Sequence, residues 1–385
     1  MHLLNNILSH YSWQGLTLIG VLLILFFVQM YYYSIAYGRI RRFRLMRTHK
    51  RRCENPAVSV IVVVRGENEL FLTVDLPSLL SQHYNLYEVV VVYVGGDIDY
   101  YDELQRVRKN HSWMRLTKMG GNERLYITTK QAMNVGIKSA QYDNLLFTTT
   151  GASPRSEEWV ATMARGFERG SIVIAPVVPL FEEHSLKTYL MRMCEFHRQR
   201  NAFAQAVTGY AYWAPRSNFG FVRKLYDSTR GFNHLNLDIG ENDLYLQSIT
   251  TPRRTAVVMS KQSIMTEERS SDWHEWLDIM RYYNHTESLY PNRPRTFHRW
   301  ETGSRVLFFL AALAALILLP HELRIGVALL VLIRYIVVLV STRHTARKLG
   351  EVNIAWRYWI YDLIGPMIDY MISLGKSHKS PSAWR

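Results

Sequence analysis

The stretch Leu145–Pro154, LLFTTTGASP, decides how the chain is read. Its apolar opening, Leu145–Phe147, has the composition of a strand buried in a sheet. The polar turn that follows then lies at the strand's carboxyl end, where open α/β sheets place their ligands. Two runs upstream share this character. Val58–Val64 (VSVIVVV) and Glu88–Val94 (EVVVVYV) are almost continuously β-branched, as expected of strands covered on both faces of a parallel sheet. Between them Leu70–His83 predicts a helix. Lys130–Ala140 (KQAMNVGIKSA) sets Met133, Ile137 and Ala140 at helical spacing just before the third strand. Beyond it, Trp159–Phe167 predicts another helix and Ser171–Val178 another strand. Strands alternating with helices describe a right-handed α/β sheet.

The 385 residues give this unit ample core, and the apolar residues bunch at the two ends. Gly15–Tyr37 runs 23 residues without a charge. At about 1.5 Å per residue it is long enough to cross a hydrocarbon layer of roughly 30 Å. It finishes in Tyr31, Tyr32, Tyr33 and Tyr37, which suit a membrane interface. Arg39–Arg52 follows with eight Lys/Arg and no acid, more than half of the net charge of +14. A secretory leader carries its positive charge before a shorter apolar run. The segment therefore reads as an uncleaved anchor, amino terminus outside and the remainder cytoplasmic. The basic run beside it suits anionic lipid headgroups better than nucleic acid. Cys53 and Cys194 have no metal-type spacing, which argues against a disulfide framework or a zinc site.

Near the carboxyl end, Val306–Leu319 is apolar, Pro320–Arg324 is a polar break, and Ile325–Val340 is apolar apart from Arg334. These runs predict a transmembrane hairpin, with a re-entrant hairpin as the alternative at their short length. Basic residues at both outer ends keep both in the cytoplasm. Trp356–Leu374, with Asp362 and Asp369 among aromatics, predicts an interfacial amphipathic helix. Arg334 either meets a lipid phosphate or snorkels. The chain thus divides into an anchor (1–38), a basic juxtamembrane segment (39–55), a catalytic-type domain (56–300), a transmembrane or re-entrant hairpin (301–342) and a cytoplasmic tail (343–385).

Four ordered blocks carry a resemblance: VSVIVVVRGENE, LPSLLSQHYNLYEVVVV, KQAMNVGIKSAQYDNLLFTTTGASP and RSNFGFVRKLYDSTRGFNHLNLDIGENDLYLQ. Together they resemble the family 2 glycosyltransferases, in their membrane-anchored bacterial branch. The resemblance covers roughly residues 56 to 283 and implies a GT-A, Rossmann-like α/β fold facing the cytoplasm at the bacterial inner membrane. In that family a base deprotonates the acceptor hydroxyl, and a divalent metal stabilises the departing nucleoside diphosphate. The resemblance aligns the metal-holding aspartates with Thr149 and Gly151, flanking Thr150, and a nucleotide-binding aspartate with Tyr93 or Val94. Arg65, Glu67 and Lys130 join the same donor side, with Arg65 and Lys130 as candidate charge partners for phosphate. Glu241 and Asp243 occupy the acid-rich block that supplies the base. Asn218, Trp276 and Arg281 are its candidate acceptor or phosphate contacts. Asp97 and Asp99, an Asp-x-Asp after the second strand, read as a solvated turn.

No cofactor is assigned on this reading, and Mg²⁺ or Mn²⁺ belongs only if the donor site is rebuilt. With the metal ligands replaced, a non-catalytic binding or scaffold subunit in cell-envelope glycan assembly is expected. An active inverting enzyme that uses a nucleotide-sugar or lipid-phosphate donor without metal is the alternative. Expected partners are membrane lipids, a lipid-linked or polymeric glycan and an active enzyme subunit, with no nucleic acid.

Overall fold

A computed structural model describes residues 13–43, 55–120, 127–229, 231–232, 240–352 and 354–375. Cys53 and most of the basic Arg39–Arg52 run lie outside them. So do parts of the acid-rich block (233–239) and the end of the tail.

Seven strands form the main sheet: β1 (Val58–Arg65), β2 (Tyr87–Val94), β3 (Met114–Met119), β4 (Asn144–Thr149), β6 (Ile172–Ile174), β8 (Phe219–Val222) and β9 (Thr255–Val257). They lie in the order β3-β2-β1-β4-β8-β6-β9. The first four are mutually parallel, and β8 runs antiparallel to both β4 and β6. From β1 the chain first builds outward through β2 and β3, then returns to place β4 on the other side. That reversal opens a crevice at the carboxyl ends of β1 and β4. A second sheet, β5 (Ala152–Pro154), β10 (Met265–Arg269) and β7 (Val177–Phe181), borders the crevice. The run predicted as one strand over Ser171–Val178 is two, separated at Ala175–Pro176 and belonging to different sheets.

Helices cover both faces. After the wide turn Phe71–Asp75 comes α2 (Leu76–Leu80), followed by α3 (Ile98–Asn110), α4 (Thr129–Ser139) and α5 (Trp159–Phe167). Helix α4 starts where a capping box dictates: Thr128 Oγ1 accepts from Gln131 N at 3.2 Å, and Gln131 Oε1 accepts from Thr128 N at 2.8 Å. The long α6 (Leu186–Ala206) begins at an equivalent Ser185–Thr188 box. Shorter helices α7 (Arg223–Ser228) and α8 (Leu244–Ile249) precede α9 (Trp273–Asn284).

Among the described residues, three helices are long and apolar enough to cross a membrane. One is α1 (Trp13–Met30), which runs on through a wider π-type turn, Tyr31–Ala36, to Arg42. The others are α10 (Asn292–Leu318) and α11 (His321–Lys348), 27 and 28 residues long. At about 1.5 Å per residue each helix exceeds roughly 30 Å, its apolar run extended by polar turns. They pack through Leu22, Phe26, Phe308, Ala312 and Val327. Of the four tyrosines read as an interfacial belt, only Tyr31 is exposed; Tyr32, Tyr33 and Tyr37 are buried in protein.

The last helix, α12 (Tyr358–Leu374), packs on α6, α9 and α10. It turns Tyr358, Tyr361 and Asp362 inward and exposes Trp359, Leu363, Met367 and Leu374. The outward face is the apolar one, as in an interfacial helix with the protein beneath it. Arg334 neither reaches a lipid nor snorkels. It is buried, donating to both oxygens of Asp362 and, at 2.8 Å, to Gln29 Oε1.

Candidate functional site

The turn after β4 is held from two directions. Gly151 N donates to Asp75 Oδ2 at 2.7 Å, Ser153 Oγ donates to Asp75 Oδ1 at 2.7 Å, and Gly151 O accepts from Glu268 N at 2.8 Å. Gly151 sits at φ +76°, a left-handed conformation that suits glycine. Burial pushes the Asp75 carboxyl above its ordinary range, against the pull of the Ser153 and Gly151 hydrogen bonds. Thr149 Oγ1 is buried and has no hydrogen-bond partner among the described residues. These residues do not fit a divalent metal site. Thr149 and Gly151 bring no carboxylate, and Asp75 uses both oxygens on the turn itself. Among the described residues no group of three or more His, Cys, Asp or Glu side chains is arranged to hold a metal ion.

The rest of the donor side is also internally bonded. Arg65, at the end of β1, donates to Ile127 O at 2.8 Å and to Thr129 Oγ1 at 3.2 Å, which fixes the entry to α4. Glu67 is exposed and shares a hydrogen bond with Asp97. That bond and the Asp97 charge push the Glu67 carboxyl up. Asp97 is held down, first by the Tyr100 N–H and then by Glu67. Asp97 is therefore a helix cap, its Oδ1 accepting from Tyr100 N at 2.6 Å. Tyr93, aligned with the nucleotide-binding aspartate, is buried and stacks on Tyr101 at 6.0 Å. Lys130 is fully buried in the first turn of α4, and a Cβ added at Gly240 would come within 3.4 Å of its Nζ.

Glu241 and Asp243 stand before α8, both buried. Glu241 Oε1 pairs with Arg216 Nε at 2.6 Å, while Oε2 is buried without a hydrogen-bond partner. Burial opposes the Arg216 charge, but Glu241 and the Tyr283 ring outweigh it and keep its pKa above the ordinary value. Asp243 is surrounded by donors: Oδ1 takes the Leu244 N–H, and Oδ2 takes the Thr286 hydroxyl and, at 2.8 Å, that of Tyr290. Asn242, between them, bonds the Ala214 backbone in both directions, which seats the Trp213–Arg216 segment opposite.

A cleft of about 60 Å³ opens here, bordered by Arg198, Trp213, Arg216, Asp243, Glu267 and Arg269. Its floor is a chain of ion pairs. Arg269 Nε meets Glu195 Oε2 at 3.1 Å and Nη1 meets Glu267 Oε1 at 2.6 Å; Ser217 Oγ donates to Glu267 Oε2 at 2.8 Å. Such paired carboxylates and guanidiniums can hydrogen-bond hydroxyl-rich ligands. Glu195 and Glu267 are engaged with Arg269, Trp276 and Ser217, which works against proton abstraction by either, whereas Glu241 keeps Oε2 unpartnered among the described residues.

Beside the cleft lies a second cavity of about 1320 Å³ between α6, α9, α10 and α12, which shares Arg198, Trp213 and Met280 with it. Arg281 lines this larger space and donates to Met371 O at 3.3 Å. Trp276 stands behind the cleft, its Nε1 donating to Glu195 Oε1 at 2.9 Å. Asn218 lies apart, fully buried, bonded to Trp159 Nε1, Pro176 O and Ser263 O. The structure thus brings Asp243 to the cleft with Glu241 behind it on Arg216. It separates Asn218, and it adds Asp75, Arg198, Arg216 and Arg269, which sequence reasoning did not single out. The segment Trp213-Ala-Pro-Arg216, an aromatic and a cation around a proline, was the available signal for Arg216.

No family model and no curated protein sequence matches the chain. Solved structures do. The mannosyltransferase PcManGT from Pyrobaculum calidifontis, determined in complex with GDP-Man and Mn²⁺, aligns with a TM-score of 0.53 at 15% identity, covering 91% of this chain and 98% of that one. TarS 1–349 from S. aureus aligns with a TM-score of 0.41 at 12% identity, covering 83% and 90%. The chain has the fold of a glycosyltransferase.

Proposed function

We propose that this protein is a membrane-bound, glycosyltransferase-like subunit of bacterial cell-envelope glycan assembly. It binds a glycan or glycolipid at the Arg216–Glu241–Asp243 cleft and does not transfer sugar by the ordinary metal-dependent route. One observation carries the reading. Where the fold would present metal ligands, Thr149 and Gly151 stand instead, and the acid that reaches them, Asp75, is committed to Gly151 N and Ser153 Oγ. Losing a single transition-state donor can cost about 3 kcal/mol, or two orders of magnitude in rate. Here the metal ligands and the nucleotide contact are replaced together. Asp243, which accepts the Leu244 N–H and the Thr286 and Tyr290 hydroxyls, is held as a structural acceptor. Glu241, though its Oε2 is unpartnered among the described residues, is buried behind Arg216 rather than on the cleft; both support the same reading. Placement at the inner membrane, with the cleft on the cytoplasmic side and an active enzyme as partner, belongs to this proposal. It is supported by three helices of spanning length.

The test is calorimetric titration of the purified full chain with UDP, GDP and their sugars, with and without Mn²⁺. The expected result is no metal-dependent binding. Micromolar, Mn²⁺-dependent affinity for any of these ligands sinks the proposal in favour of an active transferase with a rebuilt donor site.

A further inference from the structure

The cavity of about 1320 Å³ is larger than the roughly 300–1,000 Å³ typical of small-molecule pockets, and its wall changes character along its length. Helix α10 contributes Arg295, His298, Arg299, Thr302, Gly303, Val306 and Leu307. These positions recur at three- and four-residue intervals, so they form one helix face. Read toward the apolar half of α10, that face passes from two arginines and a histidine, through Thr302 and Gly303, to Val306 and Leu307. The span from Arg295 to Leu307 is about 18 Å at 1.5 Å per residue. Across the cavity, α12 supplies Pro366, Tyr370 and Ile372.

Two further facts fix the occupant's chemistry. The lining holds four arginines (Arg198, Arg281, Arg295 and Arg299) against two acids, Glu287 and Asp369, an excess of two positive charges before any histidine is protonated. At the other end, Val306 and Leu307 line the cavity and are also 37% and 54% exposed. There the space opens onto the side of α10 where Leu310 and Leu313 are exposed as well, the stretch apolar enough to lie in a membrane. A basic chamber that opens sideways onto an apolar surface suits a molecule with an anionic head and a hydrocarbon tail.

We infer that this cavity binds a phosphate-bearing lipid, its head among Arg295, His298 and Arg299 and its chain leaving past Val306 and Leu307. The inference deepens the proposed function, and rests on it only in assigning the lipid-borne saccharide to the adjoining cleft. The shared residues Arg198 and Trp213 stand between the two.

The test uses the full chain in detergent with no nucleotide present, so it reads this cavity independently of the donor titration. Farnesyl phosphate, farnesol and inorganic phosphate are titrated in turn, with binding followed by native mass spectrometry. Farnesyl phosphate is expected to bind at least roughly tenfold more tightly than either of the others, about 1.4 kcal/mol. The double variant Arg295→Gln/Arg299→Gln is expected to remove that advantage and leave farnesol binding unchanged. Gly303→Phe should block farnesyl phosphate and farnesol alike. A Cβ at Gly303 meets nothing within 4 Å, so the substituted side chain starts in open space on the cavity wall. Equal affinity for farnesol, equal affinity for inorganic phosphate, or wild-type binding by both variants overturns the inference.

Discussion

His197 accepts a hydrogen bond at Nδ1 from Arg200 Nη2 at 2.7 Å and turns Nε2 to within 3.2 Å of Glu301 Oε2. That arrangement fixes a neutral imidazole with its proton on Nε2. Burial, outweighing Glu301, draws the pKa down to about 3. Because the folded value lies below the unfolded value of about 6.5, the stabilisation is complete above that pH and fades as pH falls toward about 3. In that window the loss runs at up to about 1.4 kcal/mol per pH unit. Thermal unfolding at pH 7.5 and 5.0 should therefore show a smaller drop for His197→Gln than for the parent. Equal drops would exclude the assignment. At this scale the sequence was legible where chemistry is carried by residue type: Glu241, Asp243 and the substitutions at Thr149 and Gly151 were all visible as letters. Arg216 and Asp75 were not, because their roles depend on a carboxylate or a backbone N–H brought from elsewhere in the chain.

Helix α4 shows how an element is fitted to the sheet. A Cβ built at Gly136 would stand 2.6 Å from Ile61 Cγ2 and 3.2 Å from Val92 Cγ2, so the helix backbone rests directly on β1 and β2. Gly136→Val should destabilise the protein by about 1–3 kcal/mol through overpacking, even though it fills a helix position with a β-branched residue of higher helix propensity. A denaturant midpoint equal to that of the parent would contradict this close approach. The apolar strands were readable because burial on both faces leaves an unbroken run, as β1 and β2 show. Strand β3 was not. Its sequence MRLTKM lies at the sheet edge, with only Met114 buried, so it lacks the signal. Likewise, Pro176 ends one strand and lets the next join another sheet, a change of partner that hydrophobicity does not encode.

Across the whole molecule, α11 is tied to α12 and α1 by a buried polar cluster. Arg334 joins Asp362 and Gln29, while Arg200 bonds Thr342 Oγ1 at 3.1 Å and Tyr358 Oη at 2.8 Å. Asp362→Leu alone leaves a guanidinium buried without its carboxylate and should cost about 3–5 kcal/mol. Pairing it with Arg334→Met should recover most of that loss, as measured by thermal unfolding of the detergent-solubilised chain. A double variant no better than the single would show that the ion pair itself is not what is being broken. None of this was legible from Arg334 in an apolar run. Its partners lie 28 residues later and 305 residues earlier, and only the packed bundle brings them together.

The Arg198 guanidinium lies 5.3 Å from the Trp213 ring centroid, and both side chains face the small cleft and the large cavity. A partition of side chains shared by two sites gives them a route to thermodynamic linkage. By whatever factor an occupant of one compartment alters affinity in the other, the second occupant alters the first by the same factor. The order of arrival then cannot change the energy of the doubly loaded state. It can change which half-loaded state is populated on the way, and Arg198 and Trp213 are the side chains through which either occupant would be felt by the other.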